Sequence, residues 1–182
     1  MRRGKLNILI LGVTTIAILA GVYAGIAKRG ERMPVATISP EAVAHLFATR
    51  LDDSAGRPRD FVQWRGKTLV VNFWATWCEP CRDEMPALSR LNERFSPNGV
   101  NFIGIALDTP GNVAQFAKNL AISYPLLIAG PEGIELSQEL GNTHSALPYT
   151  VVLGPRDEVL LTRLGRVSEA ELATVLLDST RP

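Results

Sequence analysis

Cys78 and Cys81 are the side chains best suited to chemistry, and they are the only two cysteines in the chain. They stand in the order Trp77-Cys78-Glu79-Pro80-Cys81, with two residues between them. Since no further cysteine remains to form a structural disulfide, the pair can bond to itself, bind a metal or exchange disulfides with another molecule.

Two cysteines at this spacing become useful for disulfide exchange when they lie at the start of a helix, and the residues that follow fit a helix. The segment 78–95 carries Leu88, Leu91 and Phe95 at helical spacing. At the first position, unpaired backbone N–H groups and the helix dipole stabilise a thiolate, which is the attacking species in exchange. A second cysteine three residues later lies on the same helix face and can displace the first from a mixed disulfide. The spacing therefore predicts a redox dithiol with Cys78 attacking and Cys81 resolving.

Two other functions use cysteines in a similar setting and remain as alternatives. A thiol-based metal-binding or docking module would need two further ligands for a closed site. The only histidines, His45 and His144, do not lie near another ligand in the sequence. A redoxin-type peroxidase usually has Thr or Ser three residues before its reactive cysteine, and Ala75 occupies that position here.

The surrounding pattern predicts an α/β fold with a central mixed β-sheet flanked by helices. The apolar, β-branched run 68–74 reads as a strand buried on both faces, and it brings Cys78 to the carboxyl end of that strand, where open α/β sheets place their sites. Further strands are predicted at 46–51, 100–107, 124–129, 149–153 and 158–164, and further helices at 112–120, 132–140 and 168–178. The last two strands flank a hairpin turn at 154–157, and Ser168 and Glu171 are placed for a capping box.

The N-terminus is apolar beyond what one globular domain requires. Residues 6–27 contain no ionisable side chain except the phenol of Tyr23, and these 22 residues would span about 33 Å as a helix. That length crosses a bilayer core of ~30 Å, so we expect a transmembrane anchor at 1–27, a juxtamembrane linker at 28–39 and the folded domain at 40–182. A cleaved signal peptide is the competing interpretation.

The charge distribution argues against one class of partner, but it does not decide the orientation of the protein in the membrane. The net charge is +1 and no Lys/Arg cluster marks the body of the chain, which argues against nucleic acid. Basic residues flank the apolar segment on both sides, so the positive-inside rule does not orient it.

The motif region 73–86, from Phe73 to Pro86, resembles the TlpA-like and ResA-like membrane-anchored thioredoxins, and the likeness covers about residues 46–182. It implies a thioredoxin-like fold and a protein thiol–disulfide oxidoreductase that reduces disulfides of partner proteins, often in cytochrome c or oxidase assembly. It also implies a single-pass protein of the cytoplasmic membrane, with its N-terminus inside and its domain on the periplasmic side. We expect a monomer without bound cofactor, reduced again by a membrane electron donor.

The resemblance also assigns roles to individual residues. It implies substrate binding by Trp77 and by Leu147 and Pro148, with a cis bond before Pro148. Cytoplasmic thioredoxins carry a buried aspartate where this chain has Asn72, and an amide cannot accept the proton of Cys81. Glu84, three residues after Cys81 on the same helix face, is therefore the expected proton acceptor; the alternative for Glu84 is a solvated residue on an exposed face.

Overall fold

The computed structural model describes residues 38–181 of the chain. The predicted anchor at 1–27 and most of the predicted linker lie outside these residues. The helices are α1 (Pro40–Ala48), α2 (Glu79–Phe95), α3 (Pro110–Asn119), α4 (Gly133–Glu139) and α5 (Glu169–Ser179). The strands are β1 (Arg50–Asp53), β2 (Pro58–Asp60), β3 (Leu69–Trp74), β4 (Asn101–Ala106), β5 (Leu126–Ile128), β6 (Tyr149–Leu153) and β7 (Val159–Leu164).

The strands form one mixed sheet in the order β2-β1-β5-β4-β3-β6-β7. The central strands β3, β4 and β5 run parallel, whereas β6 pairs antiparallel with β3 and β7 pairs antiparallel with β6. This arrangement confirms the predicted α/β class, the mixed sheet and the closing hairpin.

Strand β3 lies in the centre of the sheet, and all six of its residues are buried. Leu69, Val71 and Phe73 pack into the core on one face, while Val70 and Trp74 pack into the core on the other face, which also contains residues of α2. Alternate side chains of a strand point to opposite faces. The unbroken apolar run is therefore the pattern of a strand covered on both sides, as predicted.

Helix α5 begins where the capping signal predicts it. The side chain of Ser168 accepts a hydrogen bond from the backbone N–H of Glu171 at 3.2 Å. The Glu171 carboxylate instead contacts the guanidinium of Arg163 on β7. The Ser168 half of the predicted capping box is thus present, whereas the Glu171 side chain connects α5 to β7 of the hairpin.

The prediction of a strand at 46–51 was wrong in its first half, because Leu46 and Phe47 belong to helix α1. Ser39 caps this helix, Pro40 occupies its first turn, and Val43, Leu46 and Phe47 form its buried face. A proline at the first helical position begins a helix as readily as it punctuates a linker. Strand β1 starts only at Arg50, and its partner β2, at 58–60, is too short and polar for its sequence to have indicated a strand.

Within residues 38–181 no helix has both the length and the apolar character needed to cross a membrane.

Candidate active site

The two cysteines lie at the junction of β3 and α2, and a disulfide joins them across a Cα–Cα distance of 5.3 Å. Cys78 is the N-cap residue of α2 and keeps 6% of its surface exposed, whereas Cys81, in the first turn, is fully buried. The two-residue spacing is thus sufficient for the pair to close on itself. The difference in exposure leaves Cys78 as the sulfur that another molecule can reach.

The start of α2 directs a backbone donor at Cys78. The N–H of Cys81 points at Cys78 Sγ over 3.3 Å, which is the hydrogen bond that an N-cap side chain receives. Pro80 sits in the first turn, where its missing N–H costs no helical bond. A thiolate on Cys78 would therefore meet an N–H donor and the positive end of the helix dipole.

Glu84 lies one turn beyond Cys81 on the same helix and is buried, with only 4% of its surface exposed. The Nδ2 group of Asn72 donates to Glu84 Oε1 at 2.7 Å, and the backbone N–H of Val167 donates to Oε2 at 3.0 Å. Asn72 also donates to Thr150 Oγ1 at 3.0 Å, so the carboxylate is joined to β3, β6 and the loop before α5. The alternative of a solvated Glu84 on an exposed helix face is wrong.

Burial raises the pKa of Glu84 from its ordinary 4.5 to about 7, because the charged form loses its hydration. The Val167 N–H, the Asn72 amide and the charge of Arg166 act in the opposite direction and limit this rise. Near neutral pH, both the charged and the neutral form of Glu84 are therefore populated. Burial, and secondarily the charge of Glu84, also raise the pKa of the Tyr124 phenol, so Tyr124 stays neutral.

The two tryptophans of the motif occupy different environments. Trp74 is completely buried and packs against Phe116, with ring centroids 5.0 Å apart. Trp77 keeps 69% of its surface exposed immediately before Cys78. Trp74 therefore belongs to the core, and Trp77 presents an apolar surface to solvent beside the disulfide.

Leu147 and Pro148 precede β6 at the edge of the sheet where β3 ends. Tyr149 pairs with Phe73 in the antiparallel β3–β6 ladder, so the residues just before Tyr149 approach the end of β3 that leads to Cys78. The Leu147–Pro148 peptide bond is cis, in agreement with the expectation from the resemblance. The Pro148 carbonyl accepts a hydrogen bond from Gly165 N–H at 2.8 Å, in the same loop that supplies Val167 to Glu84.

The histidines take no part in this site. His45 bonds to Glu139 at 2.6 Å between α1 and α4, and His144 contacts the Thr143 hydroxyl at 3.2 Å. Over residues 38–181 no group of three His, Cys, Asp or Glu side chains is arranged to hold a metal ion.

Sequence reasoning missed one acidic side chain at the site. Asp108 is buried and accepts hydrogen bonds from the backbone N–H and the hydroxyl of Thr76, two residues before Cys78. A signal existed, because Asp108 closely follows β4, and the carboxyl ends of parallel strands share one edge of a sheet.

Comparison with known proteins agrees with this geometry. The profile of the AhpC/TSA family matches residues 42–161. The thiol-disulfide oxidoreductase ResA of Geobacillus thermodenitrificans is 26% identical over 162 residues, which cover 88% of this chain and 86% of that protein.

Solved structures show the same fold. The thioredoxin-related protein from Neisseria meningitidis serogroup B superposes with a TM-score of 0.64 at 34% identity, covering 71% of this chain and 97% of that one. A putative thiol:disulfide interchange protein DsbE from Chlorobium tepidum superposes with a TM-score of 0.66 at 20% identity, covering 73% of this chain and 93% of that one. With its Cys78–Cys81 pair in this fold, the chain belongs to the AhpC/TSA family, as a thiol–disulfide oxidoreductase of the ResA-like kind.

Proposed function

We propose that this protein reduces disulfides of partner proteins on the extracytoplasmic side of the cytoplasmic membrane, to which residues 1–27 anchor it. The observation that carries the proposal is the Cys78–Cys81 pair at the start of α2, with the buried Glu84 one turn further along the same helix. The relatives named above are thiol–disulfide oxidoreductases, which supports the reaction class. The apolar length of residues 6–27 supports the anchor.

The first step is attack by the Cys78 thiolate on a partner disulfide. Cys78 is the more exposed of the two sulfurs, and the Cys81 N–H stabilises its negative charge. A bond forms between Cys78 and one partner sulfur, and the other partner sulfur leaves as a thiolate with the electron pair of the broken bond. Trp77 on one side and the Leu147–Pro148 backbone on the other bind the extended partner segment next to the attacked sulfur.

The second step is resolution by Cys81, which must first lose its proton. Its complete burial disfavours the charged thiolate, so Cys81 needs a nearby base to take its proton. Glu84 lies on the same helix face, and each of its oxygens retains a second lone pair beside the hydrogen bonds from Asn72 and Val167. Glu84 accepts the proton, Cys81 attacks Cys78, and the partner leaves with both sulfurs reduced.

The protein ends this cycle with the Cys78–Cys81 disulfide, which is the form that the structure contains. Two electrons have passed to the partner, so another dithiol must restore the reduced protein. We assign that task to a membrane electron donor, and we place the partners among proteins of cytochrome c or oxidase assembly. The resemblance to membrane-anchored thioredoxins supports both assignments, together with a monomeric protein that uses no bound cofactor.

Trapping the mixed disulfide tests the two cysteine roles. Cys81→Ser should accumulate a covalent complex with the partner, since no thiol remains to resolve it, whereas Cys78→Ser should form none. Non-reducing electrophoresis of membranes from cells producing each variant reads the result. Complexes formed by Cys78→Ser instead of Cys81→Ser would reverse the roles.

The reduction potential of the dithiol tests the direction of electron flow. A value of about −270 mV would make the protein a reductant, whereas one of about −120 mV would make it an oxidant and refute the proposed direction. Metal analysis of the protein purified with reduced thiols tests the alternative of a metal-binding module, which requires stoichiometric zinc or copper.

A further inference from the structure

Asp108 is a buried carboxylate that the proposed reaction leaves without a role. It follows β4 on the sheet edge where β3 leads into the active-site loop, and 8% of its surface is exposed. Burial alone would raise the pKa of this carboxyl. Hydrogen bonds from Thr76, Asn112 and Thr109 outweigh that effect and bring the pKa below its usual range, so Asp108 is charged at neutral pH.

Four hydrogen bonds from two segments meet at Asp108. Oδ2 accepts from the Thr76 backbone N–H at 3.0 Å and from the Thr76 hydroxyl at 2.5 Å. Oδ1 accepts from the Thr109 N–H and from Asn112 Nδ2, each at 2.7 Å, at the start of α3. The carboxylate thereby connects the loop before the cysteines to the start of α3, the helix that follows the neighbouring strand β4.

The loop residue held in this way stands directly before Trp77. The neighbouring backbone is also fixed, because Leu107 N–H donates to Trp74 O at 2.8 Å and Cys78 N–H donates to Ala75 O at 3.2 Å. Trp77, with 69% of its surface exposed, has little packing of its own to set its direction. The place from which its indole projects therefore depends on the backbone at Thr76.

We propose that Asp108 is a positioning residue, which holds Thr76 so that the loop presents Trp77 as a docking platform for an extended partner segment beside Cys78. The inference rests on the proposed function, since it concerns how a disulfide partner meets the dithiol. A loop already fixed in the free protein binds a partner without the entropy cost of ordering its backbone. We call the contacts between Asp108 and Thr76 the clamp. Loss of the clamp should slow reactions in which the partner contacts Trp77, and it should leave unchanged those in which the partner contacts only the sulfur of Cys78.

Two disulfides with the same leaving group separate these cases. One is the symmetric disulfide of nitrothiobenzoate, which is too small to require the platform, and the other is a short extended peptide whose cysteine carries nitrothiobenzoate. In both, Cys78 bonds to one sulfur and coloured nitrothiobenzoate leaves as a thiolate with the electron pair, because the thiol of lower pKa leaves faster. Single-turnover release from the reduced full-length protein in mild detergent gives a second-order rate constant for each disulfide.

Thr76→Val removes one donor to Asp108, and Thr76→Ser retains it. We expect Thr76→Val to lower the rate constant for the peptide by about tenfold, as the loss of a hydrogen bond to a charged group can do. The rate constant for the small disulfide should stay within about twofold of wild type, the smallest difference that we would interpret, and the reduction potential should be unchanged. Thr76→Ser should restore the peptide rate, and Thr174→Val, on the exposed face of α5, should not alter it.

A double-mutant cycle with Trp77→Ala identifies the route of the effect. If the clamp acts through Trp77, Thr76→Val should cause no further loss in the Trp77→Ala background. An equal loss in both backgrounds would overturn the proposal, and so would an equal loss with both disulfides or no loss with the peptide. Failure of the proposed function would look different, because it would show in the trapping experiment and in the reduction potential, while the rate constants compared here would still report on the contact between Asp108 and Thr76.

Asp108→Asn gives a second, independent variant. Its amide nitrogen would face one of the two donor pairs that now point at the carboxylate, so the hold on Thr76 should weaken further than in Thr76→Val. We expect the same selective loss with the peptide, and an unchanged peptide rate in a folded Asp108→Asn protein would overturn the assignment.

Discussion

Replacement of Glu84 by Gln should remove a specific part of the pH dependence of stability. In the folded protein the pKa of Glu84 is about 7, against 4.5 for the ordinary carboxyl. The folded state therefore binds this proton more tightly than the unfolded state does. Stability from this group is complete below about pH 4.5 and is lost as the pH rises through about 7, since the unfolded state releases the proton from about pH 4.5 upward and the folded state releases it only near pH 7.

The size of the effect follows from the two pKa values. One pKa unit corresponds to ~1.36 kcal/mol, so the difference between 4.5 and about 7 amounts to about 3 kcal/mol. The small exposed fraction of Glu84, 4%, leaves little solvent to weaken the effect. Gln keeps the shape of the protonated acid without titrating, so the free energy of unfolding of Glu84→Gln minus that of wild type should grow by about 3 kcal/mol between about pH 4.5 and pH 8.

Urea unfolding of the oxidised full-length protein in mild detergent at a series of pH values measures this difference. Glu93→Gln makes the same substitution on the exposed face of α2 and should run parallel to wild type at every pH. A constant difference between Glu84→Gln and wild type across this range would refute the raised pKa. It would also remove the basis for Glu84 as a base that operates near neutral pH.

Three further predictions concern the anchor, the partner of Glu84 and the corrected first helix. The mature protein should sediment with membranes and react in intact cells with a membrane-impermeant thiol reagent after reduction; a soluble form that starts at Lys28 would show a cleaved signal instead. Asn72→Asp places a second carboxylate where the amide now lies 2.7 Å from Glu84, so one apparent pKa of the carboxylate pair should rise above about 7. Carbon-13 NMR of the side-chain carboxyls measures it, and an unchanged titration of Glu84 would contradict the contact. Leu46→Ala, at a fully buried site, should lower the free energy of unfolding by about 2–5 kcal/mol in urea, whereas Val62→Ala, at a site 59% exposed, should lower it little. Equal losses would contradict the burial of Leu46 on the core face of α1.

Local patterns were enough to predict the frame of the site. The run 68–74 is apolar at every position but two, and such a run before a helix start is typical of a strand buried on both faces. The hairpin at 149–164 and the cap at Ser168 were predicted because their signals lie within a few residues. The first helix was misread for the same reason, since a proline permits either a linker or a helix start and the burial that decides between them is not local.

The sequence by itself determined the chemistry: two cysteines at helical spacing after a buried strand, with Trp77 and Glu84 nearby in the chain. Only the tertiary structure decided the environment of these groups. Glu84 is buried because β3, β6 and the loop before α5 supply its neighbours, the last of them 83 residues away at Val167. Asp108 reaches Thr76 across 32 residues because β3 and β4 run parallel and end at the same edge. The pKa of Glu84 and the position of the loop that carries Trp77 depend on such non-local contacts, because desolvation and hydrogen bonding act through space and not along the chain.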